Sequence, residues 1–163
     1  MIGTTELLAL VEREYGWWDS LCRRARESTS DAALLPVKDL GGRKWAKFDL
    51  EDSFCLKLAL DIERGLGISF RQATKLVFNA GALELLTRSE DEPDFWIAFV
   101  QDAPEGRRHL SGSLADVLSA FSKHAPASGD AVALAFGCVN ASLSFRELRE
   151  RARILDLTDA LGV

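Results

Sequence analysis

The chain has 163 residues, 47% of them hydrophobic and 28% charged, which suits one ordinary domain or two small ones sharing a core. Twenty Lys and Arg against twenty-five Asp and Glu give a net charge of -5 at pH 7 and a pI near 5.1. That balance argues against a protein that coats nucleic acid through bulk charge, but it leaves room for a local basic face.

The opening, MIGTTELLALVEREYG, carries Glu6 and Glu12 and has no basic leader, so it does not read as a secretory signal. No apolar run approaches the roughly 18 residues of a membrane span, and a cytoplasmic protein with no membrane partner is expected. Leu7, Leu8 and Val11 share one stripe of a helix from about Thr5 to Tyr15, which Gly16 should break. A second short helix is predicted from Trp17 to about Glu27. Trp18, Leu21, Cys22 and Ala25 share its apolar face, while Arg23, Arg24 and Arg26 project mostly elsewhere. Ser28 to Ala33 reads as a loop.

In LLPVKDLGGRKWAKFDL the turn signal Leu40-Gly41-Gly42 is flanked by an apolar run and by the alternation of Trp45 and Lys47 with Ala46 and Phe48, which predicts a β-hairpin. Asp49 is then placed as an N-cap, with Glu51 and Asp52 at the positive end of a helix that ends at Gly65 or Gly67. Its apolar positions are 50, 54, 55, 58, 59 and 62. Ser69-Phe70-Arg71-Gln72 has the S-x-x-Q form of a capping box, opening a helix whose buried stripe is Ala73, Leu76, Val77 and Ala80 and which stops before Gly81. The short turn at Ile68 makes these two helices a packed pair.

SEDEPD, from about residue 90, is an acidic, proline-containing connector and sets a domain boundary. FWIAFV and RRHLSG read as two strands joined by QDAPEG, and Ser113 to Lys123 as a helix. AVALAFGCV reads as a strand covered on both faces. Ser144-Phe145-Arg146-Glu147 is a capping box expected to open the last helix, through Leu148, Ala152 and Leu155.

Catalytic machinery is not evident. Gly65-Leu66-Gly67 lacks the third glycine of a dinucleotide loop and follows a helix, and Gly41-Gly42 lacks the G-K-[ST] ending of a phosphate loop. His109 and Cys138 are the one base and thiol pair to consider, and the apolar run around Cys138 favours an inert core thiol. Cys22, Cys55 and Cys138 are scattered and odd in number, which fits a reducing compartment; with only His109 and His124 besides, no metal site is expected. The sequence therefore points to no enzyme, no cofactor and no catalytic residue.

The charge is unevenly spread. Between Ser20 and Phe48, Arg23, Arg24, Arg26, Lys38, Arg43, Lys44 and Lys47 face only Glu27, Asp31 and Asp39, a local net of +4 that leaves -9 for the remainder. A protein that repels DNA with most of its surface and admits it on one face has this asymmetry.

Helix, glycine turn, arginine-bearing helix, basic hairpin and helical pair together resemble the winged helix-turn-helix of the MerR-like transcription regulators. The match is best over residues 43–77, RKWAKFDLEDSFCLKLALDIERGLGISFRQATKLV, which is similar to the family's run from the wing's return strand through an acidic-capped helix to an "lGiS" turn. The resemblance implies that the helix Trp17 to Glu27 enters the major groove and that the hairpin at Gly41-Gly42 is the wing. Arg23, Arg24 or Arg26 would then contact guanine, Lys38, Arg43, Lys44 and Lys47 would neutralise phosphates, and Ser20 would serve either role. Trp17 and Trp18 are expected to be core or docking residues, and Trp45 to anchor the wing. Glu12 stands where the family usually has a small residue, no long dimerising helix follows residue 81, and the cysteines of metal-sensing members have no counterpart.

The expected fold is thus α+β, with a winged helix-turn-helix over residues 1–88 and a small α+β domain over 89–163 for dimerisation or for an effector. The expected function is sequence-specific binding of double-stranded DNA as a homodimer, in a bacterial or phage regulator. A small-molecule effector is not indicated. The alternative is a protein-interaction module, such as an antitoxin or a regulator's accessory factor, using the same fold without reading DNA.

Overall fold

The computed structural model describes residues 1–27, 47–102, 106–124 and 133–163. In chain order its elements are β1 (Ile2–Gly3), α1 (Thr4–Leu10), α2 (Tyr15–Glu27), β2 (Lys47–Phe48), α3 (Leu50–Leu66), α4 (Phe70–Asn79) and α5 (Ala82–Asp91). β3 (Trp96–Asp102), β4 (Gly106–Gly112), α6 (Leu114–His124), β5 (Ala133–Asn140), α7 (Ala141–Ile154) and α8 (Thr158–Leu161) follow, giving an α+β molecule with two small antiparallel sheets.

Two helix starts form as their local chemistry dictates. The Asp49 side chain accepts the Asp52 N–H at 2.9 Å and the Asp52 carboxylate accepts the Asp49 N–H at 3.2 Å, so two otherwise unpaired donors are satisfied reciprocally. Ser69 and Gln72 do the same for α4. α3 ends with Gly67 in the left-handed conformation.

Other boundaries differ from expectation. α1 stops at Leu10, and Gly16 lies inside α2 instead of breaking a helix. The chain turns four residues earlier, at Glu12, which takes a φ of 56°. There the Arg13 N–H reaches the Leu8 carbonyl at 2.9 Å and the Glu12 N–H reaches that of Ala9 at 3.4 Å, a hydrogen-bonded C-terminal motif that usually employs glycine. Ser89 to Asp91, expected in a connector, belong to α5. α7 starts four residues before the expected capping box: Asn140 is its N-cap and accepts the Leu143 N–H at 2.7 Å, while Ser144 is buried in the helix. The last turn, α8, carries no periodic apolar signal of its own length.

The expected loop 28–33 and the turn at Leu40-Gly41-Gly42 lie outside the described residues. Of the expected hairpin, Lys47 and Phe48 are described, and they pair with Gly3 and Ile2. Their alternation holds, since Lys47 is exposed and Phe48 buried.

α3 is the centre of the molecule. Its apolar positions run beyond the single stripe read from the sequence, because Leu56 and Leu60 are buried together with Phe54, Leu58 and Ile62. It packs against α4, α5, α7 and β5. One buried cluster extends from Ile2 to Leu161 and draws on residues from both sides of residue 88. Within it Phe54 meets Phe145 of α7 edge to face, with centroids 5.8 Å apart, an arrangement worth about 0.5–1.5 kcal/mol beyond its burial. The Lys57 ammonium, largely buried, bridges Asp61 at 2.6 Å and Glu147 of α7 at 2.7 Å. The start of α7 is stitched to β3 as well: the Phe95 carbonyl accepts the Ala141 N–H at 2.9 Å, and the Phe95 N–H donates to Ser142 Oγ at 2.9 Å.

The three-stranded sheet has the order β4-β3-β5 and is clad on both faces. Ile97, Phe99 and Val139 face the main core, whereas the residues between them face α6, where Phe121 stacks on Phe136 at 4.5 Å. Gly137, opposite Phe99, lies directly against Leu66 of α3. A Cβ there would sit 2.5 Å from Leu66 Cδ2 and 3.2 Å from Cδ1.

Gly137→Ala should therefore cost about 1–3 kcal/mol through overpacking. Leu66→Ala should cost less in that background than alone, and urea denaturation of the four chains measures the difference. Burial, and then the charges of Glu51, Asp52 and Asp49, push the Cys55 thiol from 9.0 up to about 12. The folded state thus keeps this proton to higher pH than the unfolded one. Its contribution should be complete below pH 9.0 and lost as pH rises toward about 12, and Cys55→Ala should flatten that part of the urea-midpoint profile.

Candidate nucleic-acid interface

Helical geometry divides α2 into two faces. Positions 18, 21, 22 and 25 form one, with Trp18 and Leu21 buried; Ser20, Arg23 and Arg24, at i, i+3 and i+4, form the other. Trp18 meets Phe48 edge to face at 5.6 Å and so locks α2 onto β2. Trp17 meets Phe70 at 5.4 Å and locks it onto the start of α4. Both tryptophans are docking residues, as expected. Arg13 completes this junction, its guanidinium 5.4 Å from the Trp17 ring and 3.4 Å from the Glu63 carboxylate.

Of the predicted site residues, Arg23 is exposed on α2 and Ser20 is half-buried there. Arg24 and Arg26 are placed on α2 by its backbone. Lys47 is exposed on β2, next to the Phe48 that Trp18 covers. Lys38, Arg43, Lys44 and the expected anchor Trp45 lie outside the described residues.

The Trp17–Phe70 contact brings a further basic pair into this neighbourhood that the charge count between 20 and 48 passed over. Arg71 and Lys75, one turn apart on α4, are both exposed. Their signal in the sequence is the i, i+4 spacing outside the Ala73 and Val77 stripe.

The thiols form no site with the histidine once considered. Cys138 and Leu110 both lie opposite Ala98, and His109 lies opposite the next residue, Phe99. Cys138 and His109 therefore project from opposite faces of the sheet, with β3 between their strands. Burial raises the Cys138 thiol, and His109 is exposed.

Among the described residues no helix is long and apolar enough to cross a membrane. The chain matches no protein-family model, no curated protein and no solved structure.

Proposed function

We propose that the protein is a sequence-specific, double-stranded-DNA-binding regulator of bacterial or phage type. In this reading its N-terminal half is a MerR-like winged helix-turn-helix, and it acts as a dimer. The observation that carries the reading is the division of α2, whose Trp18 and Leu21 face is docked on the body through Phe48 of β2 while Arg23 stands exposed on the opposite side. A helix held this way keeps Arg23 outward, and with Arg24 on the same side of the helix a guanidinium contact to guanine in the major groove would follow.

Lys47 gives the reading a second support. It stands exposed on the strand that anchors α2, where a return strand of a wing would neutralise phosphates together with Lys38, Arg43 and Lys44. Arg71 and Lys75, exposed on α4 just beyond the Phe70 that Trp17 meets, would add to the basic surface. The remaining -9 of charge disfavours binding by other faces and so orients the protein on the duplex. One such module makes few base contacts, and two related by a two-fold axis would double them on an inverted site.

The test is retention of fragmented genomic DNA at low and moderate salt, followed by sequencing and anisotropy titration of the recovered sites. A few sites sharing an inverted motif are expected. Arg23→Ala with Arg24→Ala should weaken binding to them at least about tenfold, since each base contact is worth about 1–3 kcal/mol. Lys47→Ala should weaken all sequences alike and lower the salt slope by about one. A double variant that binds every DNA as the parent does overturns the assignment of α2.

A further inference from the structure

The sheet order β4-β3-β5 makes β4 and β5 its two edges, and among the described residues neither is paired on its outer side. A bare edge is a row of N–H and C=O groups ready to pair with another chain, and charge or proline on the strand is the usual guard against that. β4, GRRHLSG, has Arg107, Arg108 and His109. β5, ALAFGCVN, is eight residues long and has neither a charge nor a proline. Only one of the two edges is therefore unguarded.

The surface beside that edge is apolar as well. α6 lies over β4 and β3, and it reaches β5 through the stacking of Phe121 on Phe136. This contact identifies the side of α6 that leans toward the edge. Leu118, three residues before Phe121, is on that side and is 45% exposed. Phe121, Phe136 and Cys138 are half-buried. An apolar strip thus follows β5 on the α6 face, next to the open hydrogen-bonding groups.

We propose that β5 pairs antiparallel with β5 of a second copy across a two-fold axis, which would join two three-stranded sheets into one. Charge and symmetry choose this occupant. A strand without charge meets its own copy with no repulsion, whereas β4 against β4 would bring two runs of Arg107, Arg108 and His109 together. A two-fold axis perpendicular to the sheet keeps each face on its own side, so both α6 helices stand on one face with their Leu118 and Phe121 sides toward each other. Strip then covers strip, over a floor of Phe136 and Cys138. The inference supplies the interface of the dimer proposed above and rests on that part of the reading, not on the assignment of α2 to DNA.

Sedimentation equilibrium and hydrogen exchange of the full chain test it. A dimer is expected to form between about 1 and about 100 μM, with the amides of β5 exchanging more slowly as concentration rises and those of β4 unaffected. Leu118→Lys should raise the dissociation constant at least about tenfold and remove the concentration dependence at β5. Because Leu118 is already exposed, the fold tolerates this change. Leu143→Lys, at a leucine of α7 that is 47% exposed, should leave both readouts as in the parent, which separates loss of the interface from loss of any surface leucine. Arg23→Ala with Arg24→Ala should dimerise as the parent does, so failure at α2 and failure at β5 are read apart. A monomer at the highest concentration overturns the proposal together with the proposed dimer. A dimer that Leu118→Lys leaves intact, or whose β5 amides exchange independently of concentration, overturns the β5 interface alone.

Discussion

Everything in this molecule is organised around the burial of α3. A helix at the edge of a domain needs one apolar stripe, but α3 meets helices on several sides and the sheet at its C-terminal end, so it must be apolar over most of its circumference. The contact with α7 is its most elaborate: an edge-to-face phenylalanine pair in the core, and at its margin an ammonium held by two carboxylates, one on each helix. Lys57 is largely withdrawn from water, and a cation so placed is tolerated because both partners are within hydrogen-bonding distance. The two halves of the chain are thereby fastened through packing and through charge at one seam.

That seam also determines what the surface can offer. By docking through Trp18 and Leu21, α2 gives its apolar face to the body and keeps Arg23 outward. By docking through Phe145 and Leu148, α7 gives up its own apolar face yet retains Leu143 and Ile154 outside. The first arrangement is the ordinary economy of an amphipathic helix. The second leaves two separate apolar residues half exposed among charged ones, as protein surfaces commonly do.

The parts of the fold legible in the sequence were those specified within a few residues. Asp49 with Asp52 and Ser69 with Gln72 form reciprocal hydrogen bonds set by local spacing, the α6 segment has a helical apolar stripe, and the apolar run of β3 has the length of a strand. Boundaries governed by distant partners were not legible. Glu12 adopts a left-handed conformation although glycine stands four residues on, and its carboxylate is paired with Arg151, from the far end of the chain. Asn140 displaces Ser144 as the cap of α7 because β5 delivers the chain there, and the Phe95 backbone takes the first N–H groups of the helix. The end of α5, Ser89–Asp91, was hidden in an acidic, proline-bearing run that resembles a connector, and the helix is held by the burial of Leu85 and Leu86. For the candidate interface the sequence supplied the charge and its position, while the outward direction of Arg23 and the addition of Arg71 and Lys75 needed the packing of α2 on α4.

The close approach of Gly137 to Leu66 has a bearing on how this protein can vary over evolutionary time. Where the side chain of one element rests on the bare backbone of another, the two cannot drift independently, because a larger residue at the glycine displaces the side chain. Substitutions along α3 and β5 should accordingly arise as compensated pairs, whereas the exposed positions of α2 remain free to change singly. A lineage of such proteins could then acquire new binding preferences at α2 while its central helix and sheet stayed nearly constant.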